Sequence, residues 1–219
     1  MEELARRGLT IAEPVNPFRN DWDFLSRGCW TKDEASGQVL QFPSGSNHEY
    51  LRYLTEIRPN YPIFAVEKSR RMMATWWMLA LYLFDTLTKP NHANFVGSRK
   101  LESSAYLLGP DRILHIYNHI PADVWPDKPM LRPEGKHYAG YTRLECPATG
   151  SYIQAVASGA DQLRQYTATN VFLDEFAFWD RAEESWTAIK PTVQGGGHVD
   201  MVSTPELGAY MYSLLYDTD

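Results

Sequence analysis

Short apolar runs alternate with helical patterns along most of the chain. Apolar runs of strand length predict five buried strands, at residues 61–66, 92–98, 151–156, 171–176 and 198–202. Apolar residues at helical spacing predict helices at residues 49–58, from 72 to about 88, at 102–120 with a break near Gly109, at 181–190 and at 210–216. This alternation favours an α/β fold in which helices flank a mostly parallel sheet.

Residues 1–48 do not show this alternation. Pro14 and Pro17 end a short helix predicted near the N-terminus, and the polar segment 29–49 predicts a loop or a short hairpin. We therefore divide the chain into an N-terminal arm and loop region, residues 1–48, and one α/β domain, residues 49–219.

Proline and glycine interrupt the pattern at two further places. Pro191 is expected to end the helix at 181–190. Residues 121–150 are rich in both residue types and form a long connection, which is either functional or folded locally as a hairpin. Its basic and aromatic residues can bind nucleic acid, but a solvated loop explains them equally well.

The composition is that of a folded, acidic protein. Of 219 residues, 44% are hydrophobic and 13% aromatic, which is enough for a sizeable core, and the net charge is −6. Proteins that wrap nucleic acid over their whole surface are usually basic, so any DNA contact here must be local or shared among subunits. Cys29 and Cys146 are far apart in the sequence, which predicts free thiols in a reducing compartment.

No segment predicts a membrane partner. The most apolar run, residues 72–84, is followed by Asp85, and its 13 residues are too few to span a bilayer, which takes about 20. A buried helix is the better interpretation. The first ten residues, MEELARRGLT, lack the apolar core of a signal peptide.

In the predicted strand at 171–176, three apolar residues are followed by two adjacent carboxylates, Asp174 and Glu175. Carboxylates at the C-terminal end of a parallel strand emerge at the edge of the sheet where ligands bind. Because successive strand residues point in opposite directions, one carboxylate can face a metal ion and the other a water molecule. The alternative interpretation is a strand that ends in a solvated acidic turn.

A basic loop connects the strand at 61–66 to the apolar helix. Strand, short loop and helix are the context that a phosphate-binding loop requires, because the helix N-terminus offers free N–H groups and a positive dipole end. Lys68, Arg70 and Arg71 add positive charge there, and Thr75 can offer a hydroxyl to Mg²⁺. A solvated basic turn is the alternative.

The standard phosphate-loop pattern GxxxxGK[ST] is absent from this loop. If Thr75 takes the last position, Met73 and Ala74 stand where glycine and lysine belong. Lys68, seven residues before Thr75, is the natural substitute for that lysine, since its long side chain can reach phosphates from the other end of the loop.

Three further residues are candidates on spacing alone. Arg164 lies eleven residues before Glu175 and can reach a phosphate across a subunit boundary, although an ordinary surface arginine is the alternative. His115 and His119 are four residues apart, which suits a metal pair, but no third ligand accompanies them. We therefore interpret the two histidines as a surface pair.

Three segments in order carry a family resemblance: KSRRMMATW at 68–76, VFLDEFAFWD at 171–180 and MVSTP at 201–205. Together with SGADQLRQYTATNVFLDE at 158–175, they resemble the ATPase domain of the large terminase subunit of tailed bacteriophages, the motor that packs viral DNA into procapsids. The likeness extends from about Trp30 to Thr204.

The resemblance implies a P-loop NTPase-type fold of the ASCE class, with ATP and Mg²⁺ as cofactors. It implies a deviant Walker A loop that binds the nucleotide, formed by Lys68, Ser69, Arg70, Arg71, Met72, Met73, Ala74 and Thr75. Within this loop Lys68 and Arg71 are the catalytic cations, and Arg71 contacts the γ-phosphate.

The remaining roles follow from the same resemblance. Thr75 and Asp174, the latter in a Walker B strand, hold Mg²⁺, and Glu175 orients the attacking water. Arg164 corresponds to an arginine finger that acts on the neighbouring subunit. Ser203 and Thr204 correspond to the motif that couples hydrolysis to movement.

The implied partners are double-stranded viral DNA, the portal protein and the small terminase subunit. An arginine that acts between subunits requires a homo-oligomeric ring, expected to be a pentamer that assembles from monomers. Arg99 and Lys100 are candidate DNA contacts. The expected location is the host cytoplasm, at the portal vertex during packaging, and not the mature virion.

Large terminases usually carry a second, nuclease domain, and the 15 residues from 205 to 219 cannot form one. We therefore expect no nuclease activity. Two alternative functions remain open, a helicase-like P-loop ATPase and a nucleotide- and DNA-binding module that does not hydrolyse ATP. The adenine contact is also open, with Tyr61, Phe64 and residues 38–43 as candidates.

Overall fold

The computed structural model describes residues 15–33, 35–43, 46–159 and 167–217. The strands in these ranges are β1 (Trp30–Lys32), β2 (Val39–Gln41), β3 (Ile63–Glu67), β4 (Ala93–Ser98), β5 (Arg132–His137), β6 (Gly140–Cys146), β7 (Ser151–Ala157), β8 (Asn170–Asp174) and β9 (His198–Ser203). The helices are α1 (Asp21–Arg27), α2 (Glu49–Ile57), α3 (Ala74–Thr88), α4 (Leu101–Leu107), α5 (Ile113–Asn118), α6 (Ala182–Gln194) and α7 (Tyr210–Tyr216).

A seven-stranded sheet with the order β3-β9-β8-β4-β7-β6-β5 forms the centre of the molecule. The strands from β3 to β7 in this order are parallel, whereas β6 and β5 add an antiparallel edge. The mostly parallel α/β fold expected from the sequence is confirmed. The long connection at 121–150 contains the β5–β6 hairpin, one of the two alternatives left open for it.

The two faces of the sheet are covered by different helices. Along β8, Phe172 belongs to the core that contains α1, α3 and α5, whereas Val171 and Leu173 belong to a second core that contains α6 and Met211 of α7. This division follows from the alternation of side chains along a strand. A sheet covered on both faces explains why its central strands read as continuous apolar runs.

Helix α3 is surrounded by protein along most of its length. The positions from Trp76 to Leu87 are all buried, as expected for the most apolar run of the sequence. Thr75, in its first turn, is less buried. The first turn of α3 is therefore the part of this helix that is open to a ligand.

Several of the described residues before 49 pack on the same core. Phe24 of α1 is fully buried, and its ring stacks on Phe84 of α3 with the ring centroids 4.7 Å apart. The β1–β2 hairpin follows, which agrees with the hairpin alternative predicted for residues 29–49. The division of the chain at residue 48 stays a prediction.

Two local predictions are wrong. Pro191 lies inside α6, which continues to Gln194, and the N–H of Gly195 bonds the Pro191 carbonyl at 2.9 Å, so helical hydrogen bonding resumes beyond the proline. His115 is only 6% exposed, because α5 packs it edge-on against Trp76, and its ring stacks on His119 at 4.0 Å. The two histidines are therefore not a surface pair.

Candidate active site

Parallel pairing brings three chain segments to one edge of the sheet. Glu67, the last residue of β3, pairs with Ser203 of β9, and Asp174 of β8 pairs with Val202. The backbone N–H of Lys68 continues this ladder by donating to the Ser203 carbonyl at 2.9 Å. Residues that are more than 100 positions apart in the sequence (Lys68 and Glu175 differ by 107) therefore meet at the C-terminal ends of adjacent strands.

Thr75 and Asp174 form the first contact at this edge. The Thr75 hydroxyl donates to Oδ1 of Asp174 at 2.8 Å. Burial raises the pKa of Asp174 to about 6, although the hydrogen bond from Thr75 opposes the rise. The Trp179 indole N–H donates to the Asp174 carbonyl at 3.0 Å and holds the end of the strand in place. A hydroxyl beside a carboxylate suits Mg²⁺, which prefers oxygen ligands.

Lys68 and Glu175 form the second contact. The Lys68 ammonium lies 2.5 Å from Oε1 of Glu175, and the Lys68 side chain is 10% exposed. The other carboxylate oxygen of Glu175 accepts hydrogen bonds from the Thr204 N–H at 3.0 Å and the Ser203 hydroxyl at 3.3 Å. Burial alone would raise the pKa of Glu175, but the hydrogen bonds from Lys68 and Thr204 hold it below its usual value. Glu175 is therefore ionised at neutral pH.

The connecting loop has an unusual backbone. Arg71 and Met73 have φ angles of +65° and +56°, in the left-handed region that normally favours glycine. Met73 occupies the position at which the standard pattern has glycine, so the loop has the glycine conformation without the residue. The Tyr50 hydroxyl donates to the Met72 carbonyl at 2.7 Å and supports the loop from α2.

A cavity of about 610 Å³ opens beside this loop. It lies between the loop, the β1–β2 hairpin and the segment from α4 to Arg112. Its lining contains Lys68, Arg71, Met72, Met73, Ala74, Thr75 and Asp174 from the predicted site, together with Thr31, Lys32, Asp33, Ala35, Leu40, Trp76, Ser98, Ser103, Tyr106, Leu107 and Arg112. The volume falls within the range typical of small-molecule sites.

Other predicted residues lie elsewhere. Ser69 and Arg70 belong to the loop, but they are exposed and outside the cavity lining. Arg99 forms a two-pronged ion pair with Asp180 on the surface, at 2.8 and 2.9 Å, and its neighbour Lys100 is exposed. Arg164 lies outside the described residues.

The structure also adds residues that the sequence did not indicate. Arg112 places its guanidinium between the rings of Trp76 and Tyr106, at 4.8 and 4.9 Å from their centroids. No motif or spacing connects these three positions, so tertiary packing alone reveals the cluster. Of the open candidates for the adenine contact, Leu40 lines the cavity, whereas Phe64 is buried against Trp77.

The described residue ranges contain no group of three or more His, Cys, Asp or Glu side chains that could hold a metal ion. A magnesium ion bound by Thr75 and Asp174 would thus need further oxygen ligands, which phosphates and water supply. None of the helices in the same ranges has the length and apolarity needed to cross a membrane.

Comparison with solved structures identifies the fold. The large terminase of bacteriophage HK97 superposes with a TM-score of 0.64 at 13% identity, covering 90% of this chain and 40% of its own. The ATPase domain of the Thermus phage P74-26 large terminase superposes with a TM-score of 0.51 at 19% identity, covering 69% and 62%. This chain has the fold of phage large terminases. A large terminase from a thermophilic bacteriophage, in complex with ADP, superposes with a TM-score of 0.51 at 17% identity, covering 74% and 39%.

The resemblance drawn from the sequence is confirmed at the level of the terminase fold, with its mostly parallel central sheet flanked by helices. The chain spans less than two thirds of each of these three terminase chains. No protein-family model matches the sequence. No curated protein matches it.

Proposed function

We propose that this chain is the ATP-hydrolysing motor domain of a viral DNA-packaging terminase. The observation that carries the proposal is the pairing of Thr75 with Asp174 and of Lys68 with Glu175, since Lys68, Thr75 and Asp174 line one cavity. Phosphoryl transfer needs positioning and charge stabilisation rather than covalent chemistry, and these residue types supply both. The ADP complex of the thermophilic phage terminase, which shares the fold, supports nucleotide binding.

The loop and the first turn of α3 bind the phosphates in this proposal. Lys68 and Arg71 supply positive charge, and the free N–H groups at the start of α3 donate to phosphate oxygens. Thr75 and Asp174 hold Mg²⁺, which neutralises charge on the phosphates when it is bound. Since Lys68 is paired with Glu175 in this structure, its ammonium must turn from the carboxylate to a phosphate.

Glu175 orients the attacking water and accepts its proton. Its carboxylate has the low pKa that keeps it ionised, and release from Lys68 makes it more basic. Ser203 and Thr204 bond the second oxygen of the same carboxylate, at the end of β9. We therefore assign them to coupling, because any movement of Glu175 during hydrolysis changes hydrogen bonds at the end of β9, which pairs with both β3 and β8.

The assembly is proposed by the same reasoning. Arg164 acts on the site of a neighbouring subunit, in a homo-oligomeric ring at the portal protein, where the small terminase subunit and double-stranded DNA are further partners. Arg99 and Lys100 remain DNA-contact candidates at the surface, with Arg99 already paired to Asp180. The ring acts at the portal vertex in the host cytoplasm.

Steady-state ATP hydrolysis as a function of protein concentration tests the proposal, with Glu175→Gln and Arg164→Ala as variants. We expect turnover to rise more steeply than protein concentration and to be lost in both variants. Mixing the two variants should restore part of the activity, because each supplies what the other lacks. ATP binding without turnover in the unmodified chain, even with viral DNA and portal protein present, would contradict the motor function.

That last result would favour a second function, a nucleotide- and DNA-binding module without hydrolysis. Two observations support this alternative. Ala74 occupies the position of the usual phosphate-loop lysine, and the substitute Lys68 is engaged by Glu175.

A further inference from the structure

Arg112 lines the same cavity as the phosphate-binding loop. Its guanidinium lies between Trp76 and Tyr106, within the distance at which a cation interacts with an aromatic face. One of its N–H groups donates to the Asp111 carbonyl at 3.0 Å. The Asp111 side chain in turn bonds the Lys32 ammonium of β1 at 2.7 Å. These contacts restrain the Arg112 side chain before any ligand binds.

We propose that Arg112 binds the polyphosphate of the nucleotide from within the same subunit, together with Lys68 and Arg71, which line the same cavity. This inference rests on the function proposed above and names a further phosphate ligand for it. Arginine suits this task, because its planar fork of N–H donors matches a phosphate group with two parallel hydrogen bonds.

The position of Arg112 relative to the metal-side residues supports the assignment. Trp76, on which the guanidinium stacks, directly follows Thr75 in the first turn of α3. Arg112, Thr75 and Asp174 all line one cavity, so the guanidinium faces the same space as the residues proposed to hold Mg²⁺.

The same inference accounts for the departure of the loop from the standard pattern. In P-loop NTPases the Walker A lysine contacts the β- and γ-phosphates, and here Ala74 takes its place. Lys68 is the substitute within the loop, and Arg112 supplies a further positive charge to the same cavity. An arginine that is stacked before the ligand arrives loses little side-chain entropy on binding.

Binding of three probes to the full chain tests the proposal. The probes are ATP, inorganic tripolyphosphate and AMP, measured by isothermal titration calorimetry with Mg²⁺. For Arg112→Gln we expect about tenfold weaker binding of both ATP and tripolyphosphate, the cost of one hydrogen-bonded charge contact, with AMP unchanged. Arg112→Lys should recover part of the affinity for tripolyphosphate, since it keeps the charge but loses the planar fork.

The matched control is Arg52→Gln, which removes an exposed arginine of α2 paired with Glu56 outside the cavity lining. It should leave binding of all three probes unchanged. If Arg112→Gln binds ATP and tripolyphosphate as the unmodified chain does, the inference is wrong. Equal weakening of AMP and ATP with tripolyphosphate unaffected would overturn it as well, because Arg112 would then contact the base.

A second variant covers the case in which Arg112→Gln does not fold. Tyr106→Leu keeps the charge and loosens the stack, so we expect a smaller loss of tripolyphosphate affinity, about threefold, and none for AMP. No change in tripolyphosphate affinity would contradict the inference. Failure of the unmodified chain to bind ATP is a separate result, which would overturn the proposed function and with it the role of Arg112.

Discussion

The ammonium of Lys68 and the carboxylate of Glu175 lie 2.5 Å apart, so the proposed phosphate cation and the proposed base neutralise each other. The two residues are 107 positions apart and meet because β3 and β8 both pair with β9. In the proposed mechanism nucleotide binding must break this ion pair. The site is therefore inactive until a phosphate competes for the lysine.

The Glu175→Gln variant separates the effect of the ion pair on ATP affinity from the effect of the base on ATP turnover. Removing the carboxylate leaves Lys68 free to bind phosphate, so ATP affinity should rise. Loss of the base should lower ATP turnover by about 10²- to 10⁴-fold. Fluorescence titration with a labelled ATP analogue and single-turnover hydrolysis measure the two quantities. Glu183→Gln, on the exposed face of α6, is the control for the change in charge and should alter neither. Weaker ATP binding by Glu175→Gln would show that the ion pair does not compete with phosphate.

The hydroxyl of Thr75 should be required for the effect of Mg²⁺. Thr75→Val keeps the shape of the side chain but removes the oxygen that now bonds Asp174, so we expect ATP affinity to become nearly independent of Mg²⁺. Thr75→Ser keeps the oxygen and should behave like the unmodified chain. Titrating ATP at several Mg²⁺ concentrations measures this dependence. A normal response to Mg²⁺ in Thr75→Val would exclude the hydroxyl as a ligand.

Mg²⁺-dependent binding should weaken at acidic pH. Burial raises the pKa of Asp174 to about 6, and only the ionised carboxylate is a good ligand for Mg²⁺. We therefore expect the affinity for Mg²⁺·ATP to fall as the pH drops through about 6. The Asp174→Asn variant should bind Mg²⁺·ATP weakly at every pH. Calorimetric titrations between pH 5 and 8 give the profile, and a flat profile for the unmodified chain would contradict the assignment.

Without Mg²⁺, protonation of the Asp174 carboxyl should increase the free energy of unfolding, whereas it should weaken Mg²⁺-dependent binding. The pKa is raised from 3.8 to about 6 on folding, so between these values the folded state binds more protons than the unfolded state. The contribution of Asp174 to the free energy of unfolding thus increases as the pH falls through about 6. Without Mg²⁺, Asp174→Asn should melt about 6–12 °C above the unmodified chain at pH 7.5, and this difference should vanish below about pH 4. Thermal denaturation followed by circular dichroism measures the difference in melting temperature at both pH values.

A buried ion pair should contribute more to the free energy of unfolding than an exposed one. Arg58 bonds Asp200 through two N–H groups at 2.6 and 2.8 Å, with side chains 14% and 0% exposed. Arg58→Ala leaves the Asp200 carboxylate buried without its guanidinium partner, which should cost about 3–5 kcal/mol of unfolding free energy. Arg52→Ala breaks an exposed pair with Glu56 and should cost less than about 1 kcal/mol. Urea denaturation compares them, and equal costs would refute this ranking.

Local patterns in the sequence were enough to predict the main helices and strands of the fold. The apolar run at 72–84 predicted the buried helix α3, and the apolar run before Asp174 predicted β8, because helix and strand periodicities are properties of neighbouring residues. The strand–loop–helix context also indicated Lys68 and Thr75 as candidate residues for binding phosphate. Pro191 shows the limit of such rules, since the tertiary packing of α6 keeps the helix intact beyond a residue that usually ends it.

Only the tertiary structure decided which side chains meet. The pairing of Lys68 with Glu175, the stack of Arg112 between Trp76 and Tyr106, and the burial of His115 each join segments that are distant in the sequence or placed by packing. Periodicity states which face of an element is apolar, but not which element covers that face. The sequence by itself therefore determined the elements and the chemical types at the candidate site. The order of the strands and the packing of α3, α4 and α5 determined the contacts between them.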